Sequence, residues 1–162
     1  MKEIPLTKGK VAIVDDEDYE WLSQYKWYVH TGGYAARHTV QRDVGKQKRK
    51  NLYMHRIVLG VNGKEHCDHK NGNKLDNRKC NLRQATNSQN MWNSCKQKQN
   101  TSGYKGVFKH RDSWAARTSF HNKPIHIGTY STKEEAARAY DEKAKELFGE
   151  FARLNFEGEQ NG

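Results

Sequence analysis

The chain has 162 residues, a formal net charge of +10 and a sequence pI of about 9.5. No apolar run approaches the roughly 20 residues that span a bilayer, and no apolar stretch follows the basic start. We therefore expect neither an integral membrane protein nor a signal peptide, and predict a cytoplasmic protein. Four Trp, eight Tyr and five Phe provide material for a core, which argues against disorder throughout. The basic pI points to a polyanionic partner, although charge alone could equally serve solubility.

The first 60 residues combine strand and helix patterns. An apolar stretch predicts a strand, and the acidic run behind it suits the first turn of a helix, where backbone N–H groups are unpaired. Two aromatic strands around a Gly-Gly turn predict a hairpin. The basic loop that follows could be a solvated hairpin tip or a phosphate contact. The predicted elements are a strand at 9–14, a helix from Asp15 to Tyr25, hairpin strands at 26–30 and 34–40, a basic loop at 45–50 and a helix at 52–59.

Residues 66–93 are rich in turn-forming side chains, with seven Asn and two Asp among 28 residues. A packed core would use far fewer, so we expect a site built mainly from loops. The spacing of Asp, His, Gly and Asn in this stretch resembles the HNH endonucleases, in particular the phage and intron-encoded homing type. The matching positions are Asp68, His69, Gly72, Asn73, Asp76, Asn77, Asn81, Leu82, Arg83 and Asn90.

The resemblance implies two short strands and a helix around one divalent metal. Hydrolysis of a phosphodiester needs an activated water and positive charge on the phosphate oxygens, which one metal and a neighbouring base can supply. The resemblance makes His69 the general base, a role that suits imidazole because it titrates near neutrality. Asp68 and Asn90 would bind the metal. Asn81 would complete the catalytic set by hydrogen-bonding across the strand loop and holding the base in place.

Oxygen ligands from Asp68 and Asn90, completed by water, suit Mg²⁺ better than Zn²⁺, so we expect Mg²⁺ with Mn²⁺ as a substitute. The last motif position is Asn and not His, a variant that some homing members share. The three cysteines show no CxxC spacing and predict free thiols, and a zinc staple through Cys67 and Cys80 lacks two further ligands. His55, just before the motif, could be structural or could touch the phosphate.

The C-terminal residues predict three strands followed by a helix. Turn-rich segments separate the strands, and Thr132 with Glu135 predicts a capping box at the start of the helix. Ala136, Tyr140 and Ala144 fall at helical spacing, and a glycine at 149 is expected to end the helix. The predicted strands are 104–108, 113–120 and 125–130.

These elements resemble the Apetala-two/ethylene-response-factor DNA-binding domain over nearly its full length, through motifs at 104–107, 114–117, 127–130, 134–141 and 154–156. In that family the sheet lies in the major groove and the helix packs behind it. Charge agrees with this arrangement, because residues 101–130 carry five basic and one acidic side chain and residues 131–162 carry five and eight. Arg117 is the best placed for bidentate contact with guanine, while lysines would bind phosphates. The candidates on the exposed sheet face are Lys105, Lys109, Arg111, Trp114, Arg117 and Ser119.

The whole sequence predicts an α+β protein that acts as a site-directed DNA endonuclease of the homing type. We expect double-stranded DNA as partner, a monomer or a homodimer, and neither a membrane nor a small-molecule cofactor. The alternative is a non-catalytic, sequence-specific DNA-binding protein. Duplex RNA is disfavoured because its major groove is too narrow and deep for a sheet. The predicted parts are an N-terminal segment of open role (1–60), an HNH ββα-metal motif (61–95), a basic linker (96–103) and an Apetala-two-type domain (104–157).

Overall fold

The computed structural model describes residues 1–43, 46–63, 65–94 and 99–156, without the side chains of 41–43 and 46–48. It divides into two compact units, Met1–Thr86 and Asn87–Gly162, and both combine helices with antiparallel strands. This mixed content confirms the α+β class. Cys95 and the linker residues 96–98 lie outside the described residues, and the predicted domain boundaries stay predictions. Within the described part of the chain, no helix has the length and apolar character needed to cross a membrane.

Small antiparallel sheets of two, three and two strands, each formed by strands consecutive in the chain, make up most of the first unit. The two helices are short. The bounds are β1 (Lys2–Pro5), β2 (Val11–Val14), α1 (Asp16–Ser23), β3 (Tyr28–Val29), β4 (Ala35–Asp43), β5 (Lys46–Tyr53), α2 (Met54–Val58), β6 (His66–His69) and β7 (Leu82–Ala85), with 3-10 turns at Thr7–Gly9 and Lys79–Asn81.

One apolar cluster holds the start of the first unit together. It draws side chains from β1, β2, α1 and one face of β4, and the indole N–H of Trp27 donates to the Leu22 carbonyl at 2.8 Å. The hairpin at Thr31–Gly33 and the helix after Asp15 were predicted and are confirmed. Strand β1 was not predicted, because Ile4 is its only buried residue and its neighbours are charged or Pro. The buried members are Ile4, Leu6, Ala12, Val14, Leu22, Trp27, Ala35 and Met54.

The prediction of a basic loop at 45–50 is wrong for its described residues. Lys46 to Tyr53 form β5, which pairs with β4 in continuous register from Ala36↔Tyr53 to Asp43↔Lys46. Lys-rich sequences have little intrinsic preference for strands, so the strand depends on its backbone pairing with β4. Position 45 lies outside the described residues.

Strand β2, in the N-terminal segment, directly supports the loop of the HNH motif. Ile13 forms a parallel bridge with Asp76, in which the Ile13 N–H donates to the Leu75 carbonyl at 2.8 Å. The Asn77 N–H donates back to the Ile13 carbonyl at 2.7 Å. Lys79 adds a backbone N–H bond to the Asp15 carboxylate at 2.7 Å. The N-terminal segment therefore fixes the position of the loop between β6 and β7.

The second unit is a three-stranded sheet covered by one long helix, with a short helix at its start. The sheet order is β10-β9-β8, and all pairs are antiparallel. The predicted capping box is confirmed: the Glu135 N–H donates to the Thr132 hydroxyl at 3.2 Å, and the Thr132 N–H donates to the Glu135 carboxylate at 3.1 Å. The bounds are α3 (Asn87–Trp92), β8 (Val107–His110), β9 (Ser113–Phe120), β10 (Lys123–Tyr130) and α4 (Lys133–Phe148), with a 3-10 turn at Gly149–Phe151.

Small side chains let α4 lie close to the sheet. Ala136, Ala137 and Ala144 are fully buried against a cluster that includes Val107 and Ala116. The predicted strand at 104–108 is wrong in its first half, because residues 104–106 form a turn. At Gly106 the backbone has a φ of +75°, and a Cβ there would lie 2.1 Å from the Tyr140 ring. Only glycine fits this turn, and its carbonyl accepts the Arg117 N–H at 2.9 Å.

Candidate active site and nucleic-acid interface

Strand β6 places Asp68 and His69 side by side in a buried position. They are 7% and 5% exposed, and they pair across the hairpin with Arg83 and Leu82. The Arg83 Nε and Nη2 both lie 2.8 Å from Oδ2 of Asp68. Sequence reasoning placed Arg83 in the motif but gave it no role; its direct pairing with Asp68 is a consequence of the hairpin register. The Asp68 carboxylate is thus held by a cation from the neighbouring strand.

The imidazole of His69 contacts a different set of groups. Its ring centroid lies 5.2 Å from that of His55 and 5.9 Å from that of Tyr34. Burial lowers the pKa of His69 from its ordinary value, while the Asn77 amide and the Asp68 carboxylate oppose this shift. A lowered pKa leaves the imidazole neutral at neutral pH, which is the form that can accept a proton.

His55 is the second buried histidine of this cluster. It is 7% exposed on α2, and burial lowers its pKa to about 3, with the charges of His69 and Arg56 acting in the same direction. Its Nδ1 is buried and has no hydrogen-bond partner among the described residues. The ring lies 5.0 Å from the Tyr34 ring and 5.7 Å from the Tyr53 ring. Sequence reasoning could not separate a structural role from a phosphate contact, and the fold places this ring against the His69 ring.

Asn81 spans the loop between β6 and β7. Its Nδ2 donates to the Asp76 carbonyl at 2.8 Å, and its Oδ1 accepts the Asn71 N–H at 3.0 Å. Gly72, with a φ of +73°, turns the chain so that its N–H reaches the His69 carbonyl at 2.8 Å. The predicted hydrogen bonds across the loop are therefore present, while the catalytic role of Asn81 stays a prediction.

A second carboxylate stabilises the same loop. Asp76 is 2% exposed and accepts Arg78 Nε at 2.8 Å and Nη2 at 2.7 Å. The Asn71 amide adds a bond at 2.9 Å. The hydrogen bond from Arg78 holds the pKa of Asp76 below its ordinary value, so the carboxylate is ionised at neutral pH. These contacts give the loop a fixed conformation without an apolar core.

Asn90 lies on α3, in the second compact unit, whereas Asp68, His69 and Asn81 lie together in the first. Its Oδ1 is buried and has no hydrogen-bond partner among the described residues. An amide oxygen in that state is costly, and a bound cation would relieve the cost. In the first unit, the Asp68 carboxylate is an oxygen donor of the same hard type. Amide and carboxylate oxygens are the ligands that hard divalent cations prefer.

Clusters of three or more His, Cys, Asp or Glu able to hold a metal do not occur in the described part of the chain. The cysteines do not change this result. Cys67 and Cys80 are free, and burial raises the pKa of the Cys67 thiol to about 11. A protonated thiol is a poor metal ligand, because the thiolate is the form that binds. The Cys67 thiol is therefore not a ligand expected at this site.

The sheet of the second unit does not place all six predicted DNA-contact residues on one face. Directly paired residues share a face, and the faces alternate along a strand. Val107 pairs with Ala116 in the core, so Lys109 and its partner Trp114 lie on the side of α4. The predicted position on the outer face is wrong for these two, because Trp114 lies an odd number of positions from Arg117 along β9 and Lys109 is the cross-strand partner of Trp114.

Arg117 and Ser119 do lie on the face away from α4, and both are exposed. Arg117 stacks over the Phe108 ring at 4.1 Å, and its cross-strand partner His126 is also exposed. His126 was missed by sequence reasoning, although the alternation of β10 places it on this face. Contact with DNA stays a prediction for each of them.

The two remaining candidates lie in turns. Arg111 has a φ of +54° between β8 and β9. Lys105 precedes β8, and its ammonium group donates to the Trp92 carbonyl. The Lys105 backbone is bound by Asn155, whose own N–H groups are held by the Asp141 carboxylate at 2.8–3.0 Å. Lys105 is therefore part of the internal structure of the second unit.

The buried strand of Asp68 and His69 and the Asn-rich loop after it lie within a segment that matches a known family. The family model described as HNH endonuclease matches residues 53–92. An uncharacterized HNH endonuclease of Acanthamoeba polyphaga mimivirus is 37% identical over 158 residues, which is 91% of this chain and 76% of that protein. The chain therefore belongs to the HNH endonuclease family. Nuclease activity on DNA is supported by this membership, and dependence on a divalent metal is general to the family.

Two further relatives match parts of the chain. Protein 3.8 of Escherichia phage T7 is 36% identical over 89 residues, which is 54% of this chain and 73% of that protein. An ethylene-responsive transcription factor of Arabidopsis thaliana is 47% identical over 60 residues, which is 35% of this chain and 14% of that protein. The plant similarity is local and covers a small part of the transcription factor.

Proposed function

We propose that this chain is a site-directed DNA endonuclease of the homing type that hydrolyses phosphodiester bonds with one divalent metal. The observation that carries the proposal is β6, where Asp68 pairs with Arg83 while the adjacent His69 packs against His55. His69 would take a proton from the attacking water, and its lowered pKa keeps it ready to do so at neutral pH. Asn81 would hold the loop that follows His69, so that the imidazole keeps its position during the reaction.

Asp68 and Asn90 would hold the metal, and Mg²⁺ is the ion that their oxygen atoms favour, with Mn²⁺ as a substitute. A bound divalent cation supplies positive charge to the phosphate oxygens. The ββα-metal arrangement itself is part of this proposal. With one such centre per chain, a monomer would nick one strand, and a homodimer would be needed to cut both.

The second unit would act as an Apetala-two-type domain that selects the DNA site. The local similarity to the plant factor and the exposed Arg117 support this role. Arg117→Ala should cost about 1–3 kcal/mol of binding free energy at the preferred site and less on random DNA. Lys109→Ala is a matched control, because Lys109 is exposed on the opposite face of the same sheet. Equal losses for both variants on random DNA would indicate phosphate contacts only.

Cleavage of supercoiled plasmid tests the nuclease proposal. The parent chain with Mg²⁺ should give nicked product, and EDTA should abolish it. His69→Ala should lower the rate by at least about 100-fold, the usual contribution of a general base. His66→Ala is the matched control, since His66 is an exposed histidine of the same strand, and it should cut like the parent. If the parent binds DNA but never cuts with Mg²⁺ or Mn²⁺, the non-catalytic DNA-binding alternative takes precedence.

A further inference from the structure

One face of the β3–β4–β5 sheet points away from the core of the first unit. Val29 and Ala35 pair with each other and pack on the core. Residues that alternate with these along each strand point away from the core, and we call this set the outer sheet face. It consists of Tyr28, His30, Tyr34, Ala36, His38, Val40, Arg49, Asn51 and Tyr53, and Ala36 is fully buried beneath its neighbours.

Rings on the outer sheet face form a continuous series that ends at the candidate active site. The series starts with His38 stacked on Tyr28 and reaches His69 through His55. Because each ring lies against the next, the outer sheet face and the buried general base proposed above belong to one cluster of rings. The centroid distances are 4.7 Å for His38–Tyr28, 6.5 Å for Tyr28–His30, 5.3 Å for His30–Tyr53, 5.7 Å for Tyr53–His55 and 5.2 Å for His55–His69.

The charge of the sheet segment matches a polyanion. Residues 26–56 carry eight basic and one acidic side chain, whereas residues 1–25 carry three basic and six acidic ones. Arg49 is exposed on the outer sheet face, opposite Val40. Lys74, from the loop of the motif, extends over the Tyr34 ring at 4.7 Å. The positive charge of the first unit is thus concentrated on the segment that continues into the active site.

We propose that the outer sheet face binds the backbone of duplex DNA beside the cleavage position; this inference rests on the proposed endonuclease function. Tyrosine hydroxyls, imidazole N–H groups and the Arg49 guanidinium can all donate to phosphate oxygens. The role of residues 26–56 is then to hold the substrate, separately from site selection by the second unit.

Binding of the full chain to a fluorescent duplex in EDTA, measured by anisotropy over a series of salt concentrations, tests the proposal. Arg49→Gln should raise the Kd by about three- to tenfold and lower the slope of log K against log salt by about 0.9, the contribution of one phosphate contact. Lys50→Gln is the matched control: Lys50 is the next residue, is also exposed, and pairs with Thr39 on the opposite face. It should stay within twofold of the parent.

If Arg49→Gln and Lys50→Gln weaken DNA binding equally, the effect is one of general charge and the proposal is overturned. It is also overturned if Arg49→Gln has no effect on binding. His38→Ala is the second outer-face variant if Arg49→Gln does not fold, and it should also weaken binding. Cleavage assays separate this proposal from the proposed function. If the parent chain cuts DNA and both outer-face variants bind DNA as tightly as the parent, only the outer-face proposal is contradicted. If the parent chain binds DNA but does not cut it, the nuclease assignment is contradicted. Comparing the Kd values of Arg49→Gln and Lys50→Gln then still decides whether the outer sheet face contacts DNA.

Discussion

The two compact units bury different kinds of side chain. In the first unit the buried set includes charged and amide groups of the candidate site, among them His55, Asp68 and Asn81. In the second unit the buried set is mainly apolar, and alanines of α4 pack against Val107 and its neighbours. Buried polar groups give less stability than apolar packing and require fixed partners. The stability of the first unit therefore depends on hydrogen bonds, whereas that of the second depends on close apolar packing. The two units should respond differently to mutation and to pH.

The largest effect is expected where the second unit is packed most closely. Gly106→Ala should lower its free energy of unfolding by about 4 kcal/mol, because the new Cβ would overlap the Tyr140 ring and the left-handed backbone disfavours a side chain. Urea unfolding followed by hydrogen exchange in peptides of the second unit measures this. Gly103→Ala is the control: its φ is +85°, but nothing lies within 4 Å of a Cβ there. Equal losses would show that backbone strain and not packing is decisive.

In the first unit the corresponding test removes an amide. Asn81→Ala should cost about 3 kcal/mol, since it leaves the Asn71 N–H and the Asp76 carbonyl without their partner. Cleavage should fall by about 10- to 100-fold, as is usual when a residue that positions a catalytic group is lost. Urea unfolding and plasmid nicking measure the two effects. Cys80→Ala, at the exposed position next to Asn81, should leave cleavage within twofold of the parent. A fully active Asn81→Ala variant would contradict the role of the clamp.

Sequence reasoning was most successful where local patterns decide the structure. The helix α4 and its Thr132–Glu135 cap follow from spacing alone, as does the hairpin at Thr31–Gly33. It failed for β5, which depends on pairing with a strand and not on its own Lys-rich residues. It also failed for Trp114, which the alternation of β9 places on the face opposite Arg117.

The candidate site shows the same division. The motif spacing identified Asp68, His69 and Asn81 as neighbours in one unit, because they lie on one hairpin and its loop. The pairing of Arg83 with Asp68 required the register of that hairpin, and the contact between His55 and His69 required the packing of α2. Contacts between elements far apart in sequence are not encoded in local spacing, so these could not be predicted.

The first unit should also lose stability in acid. Burial lowers the pKa of His55 from 6.5 to about 3, so the unfolded chain binds a proton that the folded chain does not. The free energy of unfolding should therefore fall as the pH drops from 6.5 towards 3, by up to about 1.4 kcal/mol per pH unit. His55→Phe keeps a ring at this position and should flatten the slope. Urea unfolding at several pH values measures this. The difference between the variant and the parent at pH 8 gives the effect of the substitution on packing alone. An unchanged slope would mean that His55 does not carry the effect.

The smallest effect is expected at the cap of α4, and it completes the comparison. Thr132→Ala removes the hydroxyl that accepts the Glu135 N–H and should cost about 1 kcal/mol. Thr132→Ser keeps the hydroxyl and should match the parent. Hydrogen exchange, followed peptide by peptide, should show faster exchange in the first turn of α4 for Thr132→Ala only. Because the cap lies outside the cluster around His69, nicking of non-specific plasmid should be unchanged. A loss of nicking as large as that of Asn81→Ala would show that the second unit's stability controls the active site, and the contrast between the units would not hold.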